Sequence, residues 1–575
     1  MFRSVRRASA RAVTRLSTVA LGASVVVTGA AAVAPTAGAA PAVTFTVNST
    51  ADAPDSGKNG QCKTATNVCT LRAALMEANW ATQAVTVNFN IAGSGTKTIQ
   101  IGSRLPTLTN KSGVTINGYS QPGSSVNTST VVSNAQIKIE IRGKGPTSFD
   151  GLVFQGTSNN VVRGISIYNF INQILVTGLT ADNNRIVGNI VCTNAAATVQ
   201  SAVSGKQIGI VLQKGASGNK VGTPAPADRN VVSGCGNRGI VLSFQPTVNN
   251  TIQNNIVGLT PNGAAARPNR SNAVDINYTD HNLVGGDGPG MANIISGNGG
   301  SAVEDSHGKG NHDNQIVGNL LGTTPTGAAA SYAANALWGI RFEGPYFCGK
   351  PGKPNPGGCT DAQVVEGVPH NNVARANVIV SNRSGGIMID KGHNRVSITG
   401  NWIGVTKSGS NAGNSIGGIM LQRGPWNQTI SGNIIANSPT AIQISSVGGD
   451  PSGKEQTTYG NLISRNSMFN TNGIIFNYVS SASMVQHGMK PPTLVAGSGK
   501  KVTGKTCAGC TVELFVAAGS GVKAGRTYLA TVTANSAGTF SATLSGASSG
   551  SPITATATNK TRDTSQFQTP VTLKS

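Results

Sequence analysis

The chain has 575 residues, among them 74 glycines, with only 11% charged residues and a formal charge of +23 at neutral pH. That length exceeds one ordinary globular domain. The scarcity of Glu and Lys beside abundant Asn, Gly, Thr, Ser, Val and Ile excludes a helical protein and points to strands joined by tight turns.

Residues 1–40 read as a secretory signal. Arg3, Arg6, Arg7, Arg11 and Arg15 precede an apolar run from Val19 to Val33 and the small-residue tract Ala37-Gly38-Ala39. The run is short for a membrane span and rich in Ala, Gly, Ser and Thr, and no later segment reaches the apolar length a span needs. Export to the extracellular space or cell surface is therefore expected. Loss of the five arginines lowers the formal charge from +23 to +18. A basic exported surface suits anionic polymers, such as uronic-acid polysaccharides or cell-wall polyphosphates, through counter-ion release. Nucleic acid is the weaker partner, since no recognition motif is visible.

The segment 41–130 is expected to form an N-terminal cap. Its sequence LRAALMEANWA, from Leu71, reads as a short amphipathic helix with Leu71, Ala74, Leu75 and Ala78 on one side. Such a helix would close the open end of a repeat stack, which otherwise offers unpaired backbone to other chains. The eight cysteines, an even count in an exported chain, read as disulfides. Cys62 with Cys69, Cys348 with Cys359 and Cys507 with Cys510 are the near neighbours, leaving Cys192 and Cys235. The single CAGC at 507–510 has no second CxxC and no nearby His, so a turn-clamping disulfide is expected there, not zinc.

Between residues 131 and 488 a pattern recurs. The cores GIVLQ (Gly209), GIVLS (Gly239), AVDIN (Ala273), AVEDS (Ala302), GIRFE (Gly339), GIMID (Gly386), GIMLQ (Gly418), AIQIS (Ala441) and GIIFN (Gly473) read small, apolar, variable, apolar, polar, at intervals of 23 to 47 residues. GLVFQ at Gly151 is an earlier member. A second phrase lies between them: Asn, alternating apolar residues, then Gly-Asn or a variant of it, as in NRIVGNIV at Asn184 and NQIVGNLLG at Asn314. Each unit supplies short strands with Asn or Gly corners, and stacked asparagines can hydrogen-bond in ladders. One unit cannot bury its own apolar face but a stack can, which predicts a parallel β-helix with loop insertions at the corners.

The chain resembles a family at this point. Cys69-Thr70-Leu71-Arg72-Ala73-Ala74, followed by Glu77-Ala78-Asn79, is similar to the CSLREA-type motif of secreted right-handed parallel β-helix repeat proteins, departing from it at Thr70 and Ala73. The resemblance extends to about residue 488 and implies right-handed coiling, which periodicity alone leaves open. It implies no particular chemistry, because β-helix proteins include hydrolases, lyases, epimerases and non-catalytic surface proteins.

Alternation places the second and fourth core positions inside, and the third and fifth on the outer face of one sheet. The chain has only 21 acidic residues. Four of them, Asp275, Glu304, Glu343 and Asp390, fall in those two outward columns over four consecutive copies, with Arg341 among them. If one copy is one coil, neighbours lie roughly 5 Å apart and diagonal pairs about 7–8 Å. Carboxylates so close cannot all ionise freely, so one is available as a general acid and another as a base. These five residues are the candidate catalytic set, for a glycoside hydrolase or a polysaccharide lyase, with Arg341 as carboxylate clamp or base. No cofactor is required, although the acids admit Ca²⁺ in the lyase version. The alternatives are an ion-paired ladder and a non-catalytic glycan-binding adhesin or envelope protein.

Tyr278, Trp338, Tyr346 and Trp426 are the candidate sugar platforms beside the patch. His307, His312 and His393 lie in following loops and read as surface histidines, leaving the metal ligands unassigned. Asp305 stands at an inward position, which implies either a bulge that turns it outward or a slip of register. Residues 489–575 alternate at period two between Gly and Asn-Ser turns and read as an Ig-like β-sandwich with Glu513 and Asp563 as its only carboxylates. The whole is expected to be all-β: a right-handed parallel β-helix with an N-terminal cap and a C-terminal Ig-like module.

Overall fold

The computed structural model describes residues 42–145, 148–199, 205–306, 311–344, 369–446, 458–478 and 484–575. Three long sheets, of thirteen, twelve and eleven strands among these residues, are visited in turn by the chain. Each strand pairs in parallel with its counterpart one coil later, as Val274–Asn277 does with Val303–Ser306. This is a parallel β-helix. Sheets 1, 2 and 3 are the sheets that contain Val43–Val47, Lys97–Ile101 and Leu152–Gln155, respectively.

Sheet 3 contains every core read from the sequence, in chain order, and one that was not read, Asn172–Thr177. That strand carries Gln173 where the others carry Gly or Ala. Its side chain is fully buried and bonds back to the Phe170 carbonyl, so the polar residue is satisfied locally and hides the repeat. The second and fourth positions point inward as expected: Ile210, Leu212, Ile340, Phe342, Ile387 and Ile389 are all completely buried. The first position is small because coils approach closely there. A Cβ on Gly386 would lie 2.4 Å from the Gly418 carbonyl oxygen.

Asparagine ladders run along the corners. In ladder 1, Asn184, Asn219, Asn250, Asn282 and Asn314 each donate both backbone N–H and side-chain amide to the next asparagine or, at Asn314, backbone N–H to Asn372. A second ladder runs from Asn189 to Asn466 and a third from Asn269 to Asn414. Each amide satisfies a buried corner N–H of the coil that donates to it, which a shallow bend cannot do with backbone alone.

The coil stack starts earlier than the repeat phrase suggests. Val43–Val47 already pairs with Val85–Phe89 in sheet 1, inside the segment expected to be a cap. These strands alternate but lack the small-apolar phrase that marks later coils. Helix α1 (Leu71–Trp80) covers the open end with Leu71, Ala74, Leu75 and Ala78 fully buried, as its pattern predicts. Thr70 is its N-cap, accepting from the Ala73 N–H. Arg72 pairs with Asp52, Glu77 accepts from the N–H groups of Asn59 and Gly60, and Asn79 ties to Thr107 and Thr109. The Cys-Thr-Leu-Arg phrase is thus architectural.

At the other end, antiparallel sheets of three and four strands form a module with its own core around Val502, Val512, Leu514, Phe540 and Ile553. This arrangement fits the expected Ig-like module. It also caps the solenoid: Asp563 and Thr564 accept from the N–H groups of Gly460 and Ile463, and Glu513 from Ser464 and Arg465. Disulfides join Cys62 to Cys69, Cys192 to Cys235 and Cys507 to Cys510. Cys348 and Cys359 lie outside the described residues. No helix among the described residues is long and apolar enough to cross a membrane.

Candidate functional site

The register of sheet 3 stacks the candidate residues as the repeats imply. Asp275 is paired with Glu304, Glu304 with Arg341, and Glu343 with Asp390. Coils sit directly over one another, so acids far apart in sequence share one neighbourhood.

The face is not the open carboxylate groove that alternation suggests. Asp275 is 1% exposed, Glu304 7%, Glu343 6% and Asp390 0%. Each is roofed by a cation. Arg238 lies on Asp275; the Arg341 guanidinium reaches Glu304 at 3.5 Å, Glu343 at 2.7 Å and Asp390 at 3.8 Å. Lys391 contacts the second oxygen of Glu343. Arg423 grips Asp390 with two donors, Nε to Oδ1 at 2.7 Å and Nη2 to Oδ2. Four acids thus meet four bases in a contiguous ladder, with Arg341 bridging three acids.

Three of these cations escaped the sequence reading. Lys391 and Arg423 sit one residue past the fifth position, where Lys214, Phe244 and Tyr278 stand in other coils. All five have positive φ, between 53° and 61°. The left-handed turn at this sixth position folds the side chain back beside the sheet, a column that alternation cannot reveal because the strand has ended. Arg238 sits immediately before the Gly239 core, in a turn rather than the periodic strand.

Electrostatics separates the acids. Burial pushes the Asp275 carboxyl up to about 6, opposed by Arg238 and reinforced by Glu304. Asp305 is inward without a bulge: it pairs in register between Ile276 and Phe342 and is completely buried. The amides of Asn311 and Asn314 lie beside it, yet among the described residues neither carboxyl oxygen has a well-aligned donor. Burial raises it to about 8, so it is protonated at neutral pH and does not join the outer patch.

Other expectations need correction. Trp338 and Trp426 are buried, the first against Gly385 and the second beside Tyr459, so neither offers a face to a sugar ring. Tyr278 is 42% exposed and keeps that capacity. Tyr346 and His307 lie outside the described residues. His393 is not a surface histidine. Where ladder 1 would place a further asparagine the chain has Val396, and the imidazole of His393 accepts the orphaned Asn372 amide instead, Nδ2 to Nε2 at 2.8 Å. Burial holds it down at about 3, hence neutral. His312 is partly exposed, beside Asp280 and Asp313.

The patch does not suit Ca²⁺. That ion wants six to eight oxygen ligands, and here the acid oxygens face guanidinium and ammonium groups, with Arg341 in the middle.

No protein-family model and no curated protein matches this chain. Among solved structures, the catalytic domain of a GH87 alpha-1,3-glucanase in complex with nigerose is 13% identical over 71% of this chain and 66% of that one, with a TM-score of 0.26. A tailspike protein of E. coli bacteriophage HK620 in complex with a hexasaccharide is 10% identical over 80% and 83%, also at 0.26. Tailspike protein 2 of Escherichia coli O157:H7 bacteriophage CAB120 is 10% identical over 88% and 65%, at 0.23. Superpositions of that quality assign no chemistry to this chain.

Proposed function

We propose that the protein is a secreted β-helix that holds an anionic extracellular polysaccharide along sheet 3, as a surface or envelope glycan-binding protein. The observation that carries this reading is the polarity of the ladder. Its acids are buried, while the arginines over them keep more of their surface open: side-chain exposure is 38% for Arg238 against 1% for Asp275, 23% for Arg341 against 10% for Glu304, and 20% for Arg423 against 0% for Asp390, with Lys391 nearly as buried as Glu343. What the face offers a ligand is a row of guanidinium groups held in place by the acids beneath them, whose planar, charged donors suit a carboxylate, sulfate or phosphate. The positive formal charge adds long-range attraction.

A specific observation keeps the catalytic reading in play. Asp275, raised to about 6, neighbours Glu304 in register, an acid and base pair of the kind glycoside cleavage uses. Substrate would have to displace Arg238 to reach it.

One experiment separates the two. The mature protein is incubated with polygalacturonate, its methyl ester and a neutral glucan, measuring retention, reducing ends and absorbance of unsaturated uronates. The binding reading predicts retention by polygalacturonate alone, weakened by salt, with no released sugar. It predicts clear weakening in Arg238→Gln with folding intact. Released ends or unsaturated uronates, abolished in Glu304→Gln, would establish catalysis. Equal retention by the neutral glucan would refute the charge-based account.

A further inference from the structure

A second cluster lies at the corner following sheet 3, independent of the glycan reading. Ladder 1 fixes its register: Asn282 bonds to Asn314 in the next coil, so the preceding residues stack Asp280 over His312 and His281 over Asp313. The dipeptide Asp-His in one coil and His-Asp in the next form a checkerboard.

Its distances fit a metal centre. Asp280 Oδ2 lies 3.2 Å from His281 Nδ1 and 3.4 Å from His312 Nε2, and the three residues each offer a ligand atom within 4.8 Å of the other two. Bonds of roughly 2.0–2.1 Å to a tetrahedral ion separate neighbouring donors by about 3.3 Å. The outer partners are also in place. His312 Nδ1 donates to Asp313 Oδ2 at 2.8 Å, which leaves the Nε2 lone pair facing Asp280. Asp280 Oδ1 accepts from Gln245 Nε2 at 3.2 Å, and His370 stacks on the His312 ring at 5.1 Å. A carboxylate on the far nitrogen of a ligating imidazole is the arrangement that orients histidines at zinc sites.

We propose that Asp280, His281 and His312 bind one divalent transition-metal ion of the zinc class, with Asp313 as a positioning residue. Two imidazoles and one carboxylate select such an ion over Ca²⁺ or Mg²⁺. His281 is half-exposed, with 53% of its side-chain surface open, so a fourth position faces solvent.

The test uses tag-free mature protein stripped with chelator, then titrated with Zn²⁺ in competition with a chromophoric chelator. One Zn²⁺ per chain is expected. Affinity should fall roughly tenfold or more in Asp313→Asn and be lost in His312→Gln, with unchanged circular dichroism, and Ca²⁺ should not compete. If His312→Gln fails to fold, His281→Gln, at a more exposed position, reads the same loss. Zinc should raise the melting temperature of the parent and not of either histidine variant. Absence of saturable Zn²⁺ binding, or binding unchanged in the histidine variants, would overturn the proposal and leave a hydrogen-bonded His-Asp stack.

Discussion

Asp305 occupies an interior column otherwise filled by Leu242, Ile276, Phe342, Ile389 and Leu421. Its carboxyl sits at about 8 when folded against an ordinary value of 3.8. Between those values the folded chain binds the extra proton, so this group's contribution to stability falls as pH rises from about 4 to about 8, by of order 5 kcal/mol. His393 works in the opposite direction. Its value is about 3 when folded against 6.5 ordinarily, so the unfolded chain binds the extra proton and stability falls as pH drops below about 6.5. Asp305→Asn removes only the first slope. Denaturant unfolding should show the variant several kcal/mol more stable than the parent at pH 8, with the two converging near pH 4. A constant difference across that range would mean that Asp305 is not held as a neutral acid.

At the scale of the strand, the inner half of sheet 3 was legible because small, apolar, variable, apolar, polar is a complete instruction for a coil. Stacking of Asp275, Glu304, Arg341, Glu343 and Asp390 followed from it. What was not legible is what covers them. Lys391 and Arg423 act from a left-handed position outside the strand, and Arg238 acts from the turn before one. Periodicity describes strands and is silent about such turns. Asp390 tests their weight. It is fully buried and held by Arg423 and Arg341, so Asp390→Asn removes the charged acceptor that these two guanidinium groups share, while Arg341 keeps Glu304 and Glu343. A loss of roughly 2–4 kcal/mol is expected. A change below about 0.5 kcal/mol would place this pair with ordinary surface ion pairs.

For the whole molecule, the solenoid is a stack whose two ends need closing. Helix α1 closes one, and its amphipathic pattern foretold it. The C-terminal module closes the other, a role its sequence did not announce, because the two acids that do it look idle in a small all-β domain. Glu513 and Asp563 accept from backbone N–H groups at the last coils, and Phe515, Ala524 and Phe567 join the solenoid core. A chain ending at residue 488 should therefore expose an unpaired sheet edge and apolar core. Light scattering should show it associating where the full chain is monodisperse. A truncated chain that remains monodisperse with an unchanged melting temperature would reduce the module to a spacer.

Sheet 3 is proposed to meet anionic glycan through cations held over buried acids. Arginine-specific dicarbonyl labelling, read residue by residue by mass spectrometry, tests it most directly. Arg238, Arg341 and Arg423 should label in the free protein, be protected by polygalacturonate and remain unprotected by its methyl ester. Protection confined to arginines on other faces, or equal protection by the ester, would contradict it.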